Sequence, residues 1–464
     1  MTMHLINPRL LQREVAEVKR NGADYYYDKI RNGEILPPLT YRALADATRD
    51  ERMQWWREAR LGLFIHYGLY AVNGRGEWDI AWNGTPYEEY DQQIEKFCPA
   101  PDCCKRWAEA AVSAGAKYMV LTTRHHDGFS LWDSKVNPYN SVQLGPHRDL
   151  VAEFVAACRE YGLKVGFYSS VMDWKHPDAA RCSYDPQARR RFLDYLEALN
   201  TELLTNYGPI DILWYDMDCP LDSEQAWEAN IRNQKLRAIC PNLIINDRSG
   251  GMEDFGTPEE KLCASSRDWE SCLTFNRVSW GYTFSDQLKP YTYNVNNLID
   301  TLSYCCRNKG NLLLNIGPAP DGSVPAENLP VLQQLGQWLR DNGEAVYGEM
   351  RHGETLGGSC AFGVYGGTQL SRISAKGNTV YIWQLIWPQD GLLSFYGFLK
   401  PPKRIRILRT GEEVPFSFKD MRILLTGLPR ETPDPIANVP VFALDYDELP
   451  EYRHCGSTYH LDLF

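Results

Sequence analysis

Short, almost unbroken apolar runs recur along the first three quarters of the chain, with stretches of helical period between them. The runs are RLGLFIHYG (Arg60 to Gly68), KYMVLTTR (Lys117 to Arg124), KVGFYSS (Lys164 to Ser170), IDILWYDM (Ile210 to Met217), NLIINDR (Asn242 to Arg248) and NLLLNIG (Asn311 to Gly317). Each is too continuously apolar for a strand with one wet face. Parallel strands covered on both sides carry that pattern. The intervening segments read as helices. CCKRWAEAAVSAG (Cys103 to Gly115) ends on a glycine suited to a C-cap. RDLVAEFVAACREYG puts Leu150, Val151, Phe154, Val155 and Cys158 on one stripe. PQARRRFLDYLEALNTELLTNYG begins with Pro186, a favoured first-turn residue. EQAWEANIRNQKLRAIC and ENLPVLQQLGQWLRDNG continue the alternation.

Strand-then-helix order repeated over about 280 residues predicts an α/β fold of TIM-like (β/α) barrel type. No GxGxxG or Walker loop supports the doubly wound alternative. After about Gly348 the texture changes. NTVYIWQLIW, LLSFYGFL, KRIRILRT, RILLTGL and VFALDY are short runs separated by Gly, Pro and Asp. They predict an antiparallel β-sandwich. The expected division is therefore 1–348, a polar helical approach segment plus the barrel, and 349–464, the sandwich.

Composition narrows the function classes. A net charge of −11 argues against nucleic acid as a partner. No run reaches the ~18 apolar residues of a membrane span. MTMHLINPRLLQREVAEVKR has no apolar signal core, so a cytoplasmic location is expected, or a periplasmic or secreted one if a leader preceded it. The 13 cysteines form no CxxC pattern and read as reduced core thiols. Aromatic residues make up 12% of the chain, with 14 Trp and 27 Tyr. Sugar rings present flat apolar faces that suit such residues, although an aromatic core explains the composition equally well.

In a barrel of this kind, working groups project from the C-terminal ends of strands. The apolar runs lead to His66, then Glu77 and Trp78, then His125 and His126, Tyr168, Trp214 and Asp216, and Arg248. Glu259, Glu260, Glu270 and Trp280 follow. A pocket of His, Trp, Tyr, Arg and acids suits a polyhydroxylated ligand. A pair of acids suggests glycoside cleavage with retention, one carboxylate as nucleophile and one as acid/base. Metal-assisted hydrolysis is the rival, prompted by His125–His126. Neighbours on a strand point to opposite faces, so these two are not expected to ligate one ion, and no HExxH occurs. Neither metal nor cofactor is expected. Strand parity places Trp214, Asp216 and Asp218 on one face, with Asp211, Leu213, Tyr215 and Met217 on the other. Asp218 lies close to Pro220, where the strand should have ended, and reads as a loop residue.

RLGLFIHYGLYAV, AKYMVLTTRHHDGFSLWDSKVNPYNSV, GPHRDLVAEFVAACREYGLKVGFYSS, DILWYDMD, SWGY and KGNLLLNIGPAPDG together resemble the α-L-fucosidases of glycoside hydrolase family 29. The likeness runs from about Trp55 to Gly348. It implies a catalytic barrel followed by a β-sandwich. It also implies metal-free, retaining hydrolysis of terminal α-L-fucose from fucosylated oligosaccharides or glycoconjugates. By the same resemblance Asp216 is the nucleophile. His66, Glu77, Trp78, His125 and His126 bind fucose, and Tyr168, Trp214, Arg248 and Trp280 are further pocket residues. Glu259 is the first choice for the acid/base, Glu270 the second and Glu260 the third. Three departures, Tyr67 and Ser249 where Trp is common and Asp218 where Gly is common, are expected at the pocket rim. The alternatives are an exo-hydrolase of a fucose-like sugar such as α-L-galactose, and a non-catalytic sugar-binding barrel.

Overall fold

The computed structural model describes residues 24–216, 219–221, 223–251, 253–284, 293–351 and 371–448. Seven parallel strands form one curved sheet: β1 Leu61–Ile65, β2 Tyr118–Arg124, β3 Lys164–Ser170, β4 Ile212–Asp216, β5 Ile244–Ile245, β6 Glu270–Thr274 and β7 Asn311–Ile316. Their order is β5-β4-β3-β2-β1-β7-β6. Five of the six predicted runs became strands of five to seven residues, and the sixth shrank to the two residues of β5. The predicted helices form at Cys103–Ala114, Leu150–Glu160, Pro186–Asn206 and Asn328–Asn342. EQAWEANIRNQKLRAIC breaks in two, because Glu228 takes a left-handed φ of 48° between Glu224–Trp227 and Ala229–Ile239. The approach segment is helical at Asp24–Arg31, Pro38–Ala47 and Arg49–Ala59.

The sheet separates two cores. Phe64, Tyr118, Val120, Tyr168, Ile212, Trp214, Ile244, Cys272 and Leu313 fill the barrel interior. Leu63, Met119, Phe167, Leu213, Tyr215 and Leu312 face the surrounding helices. Alternate residues of one strand thus enter different cores, as the period of two requires.

β6 was not anticipated as a strand. ESCLT opens with two polar residues, yet all five are buried. Between β5 and β6 the sheet would be open, and the segment 254–260 occupies that gap. Asp254 N–H donates to Ile245 O at 2.8 Å, and Phe255 bridges Asn246. On the other side Glu270 N–H donates to Gly256 O (2.9 Å), Cys272 N–H to Pro258 O (3.2 Å) and Glu260 N–H to Cys272 O (3.0 Å). An irregular seam therefore joins the edges and satisfies their backbone groups.

The C-terminal strands form two antiparallel sheets. One contains β8 Ser371–Lys376, β9 Thr379–Gln384, β11 Arg404–Ile407 and β14 Val441–Asp445. The other contains β10 Leu392–Tyr396, β12 Phe416–Lys419 and β13 Arg422–Thr426. Ile373, Ile382, Leu393, Phe395, Ile405, Ile423, Leu425 and Phe442 pack between them, the sandwich arrangement. The outer face of β9 and β14 rests on the barrel's helical layer. There Trp338 Nε1 donates to Val439 O at 2.9 Å and its ring lies 5.3 Å from that of Trp383. Among the described residues no helix is long and apolar enough to cross a membrane.

Candidate active site

β4 ends on Asp216, and its inward parity places that carboxylate at the barrel mouth above Trp214. Both oxygens are engaged. Tyr168 OH, from the neighbouring β3, donates to Oδ2 at 2.8 Å. Arg248, just past β5, donates to Oδ1 at 2.7 Å. His126 Nε2 lies 3.6 Å from Oδ2. Tyr168 and Trp214 are register partners in β3 and β4, with rings nearly parallel at 17° and centroids 5.8 Å apart. The Arg248 guanidinium sits 4.8 Å from the Trp214 ring, a cation–π distance.

The same Arg248 nitrogen also donates to Glu259 Oε2 at 2.8 Å. Bonds of 2.7 and 2.8 Å meeting at one atom cap the separation of the Asp216 and Glu259 oxygens at about 5.5 Å. That bound falls in the range of retaining glycosidases and below that of inverting ones. Glu259 owes its place to the seam, where it bridges Cys272. Trp280 Nε1 donates to its other oxygen at 3.2 Å. The Glu259 side chain is 44% exposed and that of Asp216 only 14%, so one acid faces the entrance and the other the floor.

Facing this pair is a ring of polar and aromatic groups. His66 Nδ1 lies 2.6 Å from Asn315 Oδ1, which fixes the imidazole. Glu77 Oε2 accepts from Gly281 N–H at 2.7 Å and Ser279 OH at 2.9 Å. Gly281 is small of necessity, since a Cβ would stand 2.7 Å from the Tyr70 ring and 3.2 Å from Glu77 Oε2. Burial raises the Glu77 pKa, and the Gly281 bond offsets part of that. His125 stacks on Tyr168 at 5.4 Å and 5°, and its buried Nδ1 has no partner among the described residues. His126 Nδ1 lies 2.6 Å from Ser170 Oγ. Burial holds His66 and His125 well below the usual imidazole pKa. His126 is lowered to about 3, by burial first and the Arg124 charge second. All three are neutral at physiological pH and able both to donate and to accept.

One expectation fails here. His125 and His126 do not point to opposite faces; their rings are 4.1 Å apart. The strand ends at Arg124, after a register shift between Thr122 and Arg124, so alternation no longer governs the next residues. One ligand atom each from His125, His126 and Asp216 lie within 4.8 Å of one another. The donor set is a poor cation site on other grounds. Both carboxylate oxygens already accept hydrogen bonds, one from a guanidinium 2.7 Å away that would repel a second cation.

The remaining sequence candidates separate. Trp78 lies in the pocket wall, with its ring 5.1 Å from that of His126. Trp280 covers His66 at 5.1 Å. Glu260 turns away from the pair, and its carboxylate accepts from Thr274 N–H in β6. Glu270 starts β6 at the opposite end of the barrel from the mouth, where Trp214 Nε1 donates to it at 3.1 Å and Tyr118 OH donates to its other oxygen. Burial raises it to about 7 against the opposing pull of the Tyr118 and Trp214 bonds. Two of the expected rim departures are not at the rim. Tyr67 is buried, donates to Pro320 O at 2.8 Å and packs against Phe97 and Trp107. Ser249 is buried under the seam, accepting from Asn233 Nδ2 at 3.2 Å. Asp218 lies outside the described residues. Trp174, which the sequence reading passed over, joins the wall beside Trp78 (5.2 Å) and His126 (5.4 Å). Its signal was the polar MDWK that follows β3, another strand end.

Fold and pocket together define a barrel enzyme of the glycoside hydrolase class, with paired carboxylates at the barrel mouth. The alpha-L-fucosidase family model matches residues 38–344. Tissue alpha-L-fucosidase of Mus musculus is 30% identical over 424 residues, covering 82% of this chain and 88% of the relative. Alpha-L-fucosidase isoenzyme 1 from Paenibacillus thiaminolyticus superposes with a TM-score of 0.77 at 32% identity, covering 86% of this chain and 100% of that one. A family 29 alpha-L-fucosidase from Bacteroides thetaiotaomicron, trapped as a covalent intermediate in complex with 2-fluoro-fucosyl fluoride, gives 0.75 at 27% identity, covering 85% of this chain and 96% of that one. The chain belongs to the alpha-L-fucosidase family.

Proposed function

We propose that the protein is an exo-acting, retaining α-L-fucosidase that removes terminal α-L-fucose from fucosylated oligosaccharides or glycoconjugates. Asp216 attacks the anomeric carbon while Glu259 protonates the departing glycosidic oxygen. A fucosyl–Asp216 ester forms. Glu259 then takes a proton from water, which attacks the same carbon, releases fucose with net retention and regenerates the carboxylate. The observation that carries this reading is the meeting of both carboxylates on one Arg248 nitrogen, within the about 5.5 Å bound.

The surrounding groups fit those roles. Tyr168 and Arg248 donate to the two Asp216 oxygens and hold the carboxylate in place. Glu259 stands at the open side, where an aglycone must leave. The neutral imidazoles of His66, His125 and His126 and the Glu77 carboxylate supply partners for sugar hydroxyls, with Trp78, Trp214 and Trp280 as apolar walls. Glu260 is committed to Thr274 and Glu270 lies at the far end of the barrel. Both placements favour Glu259 as acid/base.

The test is hydrolysis of an aryl α-L-fucoside followed by NMR, with first-formed α-fucose expected. Asp216→Ala should abolish turnover, and added azide should restore part of it with an inverted fucosyl azide as product. First-formed β-fucose from the wild type, or undiminished activity in Asp216→Ala, would sink the proposal. Faster cleavage of the aryl α-L-galactoside than of the fucoside would shift it to the related sugar.

A further inference from the structure

Glu270 has no place in the two-step displacement, yet it is fully buried among the interior aromatics. A buried carboxyl costs several kcal/mol unless its environment compensates it, so its presence asks for a reason. Its two described hydrogen bonds come from Tyr118 OH and from Trp214 Nε1 at 3.1 Å. The second is the informative one. An indole N–H donates along one fixed direction in the ring plane, so this bond sets the rotation of the Trp214 ring.

That ring is flanked by the two groups that hold Asp216. On the β3 side Tyr168 lies nearly parallel to it, and Tyr168 OH binds Oδ2. On the β5 side the Arg248 guanidinium lies 4.8 Å from it, and Arg248 binds Oδ1. Arg248 also reaches Glu259. A turn of the indole would displace Tyr168 and Arg248 together, and with them the carboxylate pair.

We infer that Glu270 is a positioning residue, which sets the rotation of Trp214 from the barrel floor and through it the Tyr168 and Arg248 grip on Asp216. The inference rests on the fucosidase reading. It assigns Glu270 no proton transfer to the leaving group.

The experiment compares Glu270→Leu, which removes the acceptor, Trp214→Phe, the double variant and Tyr118→Phe on a series of aryl α-L-fucosides. Trp214→Phe keeps a ring but removes the N–H, while Tyr118→Phe removes the other bond to the same carboxyl. A displacement near 1 Å at reacting groups costs about 100-fold, and that loss of kcat is expected for each of the first two variants. The loss should be equal for good and poor leaving groups, and azide should not relieve it. The double variant should be no slower than the slower single, since both cut the same link. Tyr118→Phe should stay within about threefold of wild type on the same logic of a single shared link. Leaving-group-dependent loss with azide relief would make Glu270 the acid/base and overturn the inference. So would multiplicative losses, or a folded Glu270→Leu with wild-type kcat. If Glu270→Leu does not fold, Trp214→Phe decides, because wild-type kcat there removes the proposed link. An inactive wild type would reject the fucosidase reading instead.

Discussion

Tyr168 and Asp216 sit one strand apart, and the tyrosine hydroxyl donates to the carboxylate at 2.8 Å from a ring held between His125 and Trp214. A hydrogen bond to a charged group contributes about 1.5–3 kcal/mol, which is roughly a 10- to 100-fold effect on rate if the charge is the nucleophile. Tyr168→Phe is therefore expected to lower kcat/KM by that factor with little change in melting temperature, since the ring and its stacking remain. Steady-state kinetics with an aryl fucoside checks this, and wild-type kinetics in the variant would remove the hydroxyl from the reaction.

Glu259 and its neighbour Glu260 should separate cleanly. Glu259→Ala is expected to spare substrates with good leaving groups and to cripple hydrolysis of natural oligosaccharides, because only the latter need a proton at the departing oxygen. Glu260→Gln should change melting temperature more than rate, since its carboxylate serves the Thr274 backbone. Measuring both substrate types for both variants distinguishes them; a leaving-group effect in Glu260→Gln would reverse the assignment.

Chelation should do nothing. The His125, His126 and Asp216 donors converge, but the carboxylate is already held by Tyr168 and by the cationic Arg248. Dialysis against EDTA is expected to leave kcat unchanged, and a loss restored by a divalent ion would identify a metal-dependent enzyme.

Glu270 predicts a pH dependence of stability with a definite sign. Burial raises its folded pKa from the usual 4.5 of a glutamate to about 7. Between those values the folded protein holds the proton more tightly than the unfolded chain, so stability falls as pH rises from 4.5 to 7. The full contribution is on the order of 3 kcal/mol. Urea unfolding of wild type and Glu270→Gln at pH 4.5, 6 and 7.5 should show the difference between them shifting in the variant's favour as pH rises. A pH-independent difference would place Glu270 as an ordinary ionised carboxylate.

The parts of this molecule that could be read in its sequence are those where burial alone dictates pattern. β1 to β4 and β7 lie between an interior and a helical layer, so they are apolar on both faces and stand out. Parity on β4 puts Trp214 and Asp216 on one face and Tyr215 on the other, and the structure turns the first inward and the second toward the helices. What was hidden depends on partners distant in sequence. β6 begins with a glutamate and a serine, which are tolerated inside only because Trp214, Tyr118 and the Lys261 carbonyl meet them. The seam 254–260 has no apolar run at all, because its role is to satisfy two sheet edges with its backbone. His125 and His126 escape the alternation because the strand ends at Arg124, one residue before them. Tyr67 and Ser249 were placed at the rim by resemblance, whereas their side chains turn into the surrounding core.

The two proposed catalytic carboxylates are thus anchored by different kinds of chain. Asp216 ends a strand flanked on both sides, and its position is dictated by the ladder from Gly166↔Ile212 through Ser170↔Asp216. Glu259 rides on an irregular stretch whose course is determined by how many residues span the gap. A one-residue deletion between Phe255 and Glu259 would shift Glu259 while leaving the β3–β4 ladder that carries Asp216 in register. The length of this stretch therefore sets the spacing of the two acids, because it moves one of them and not the other.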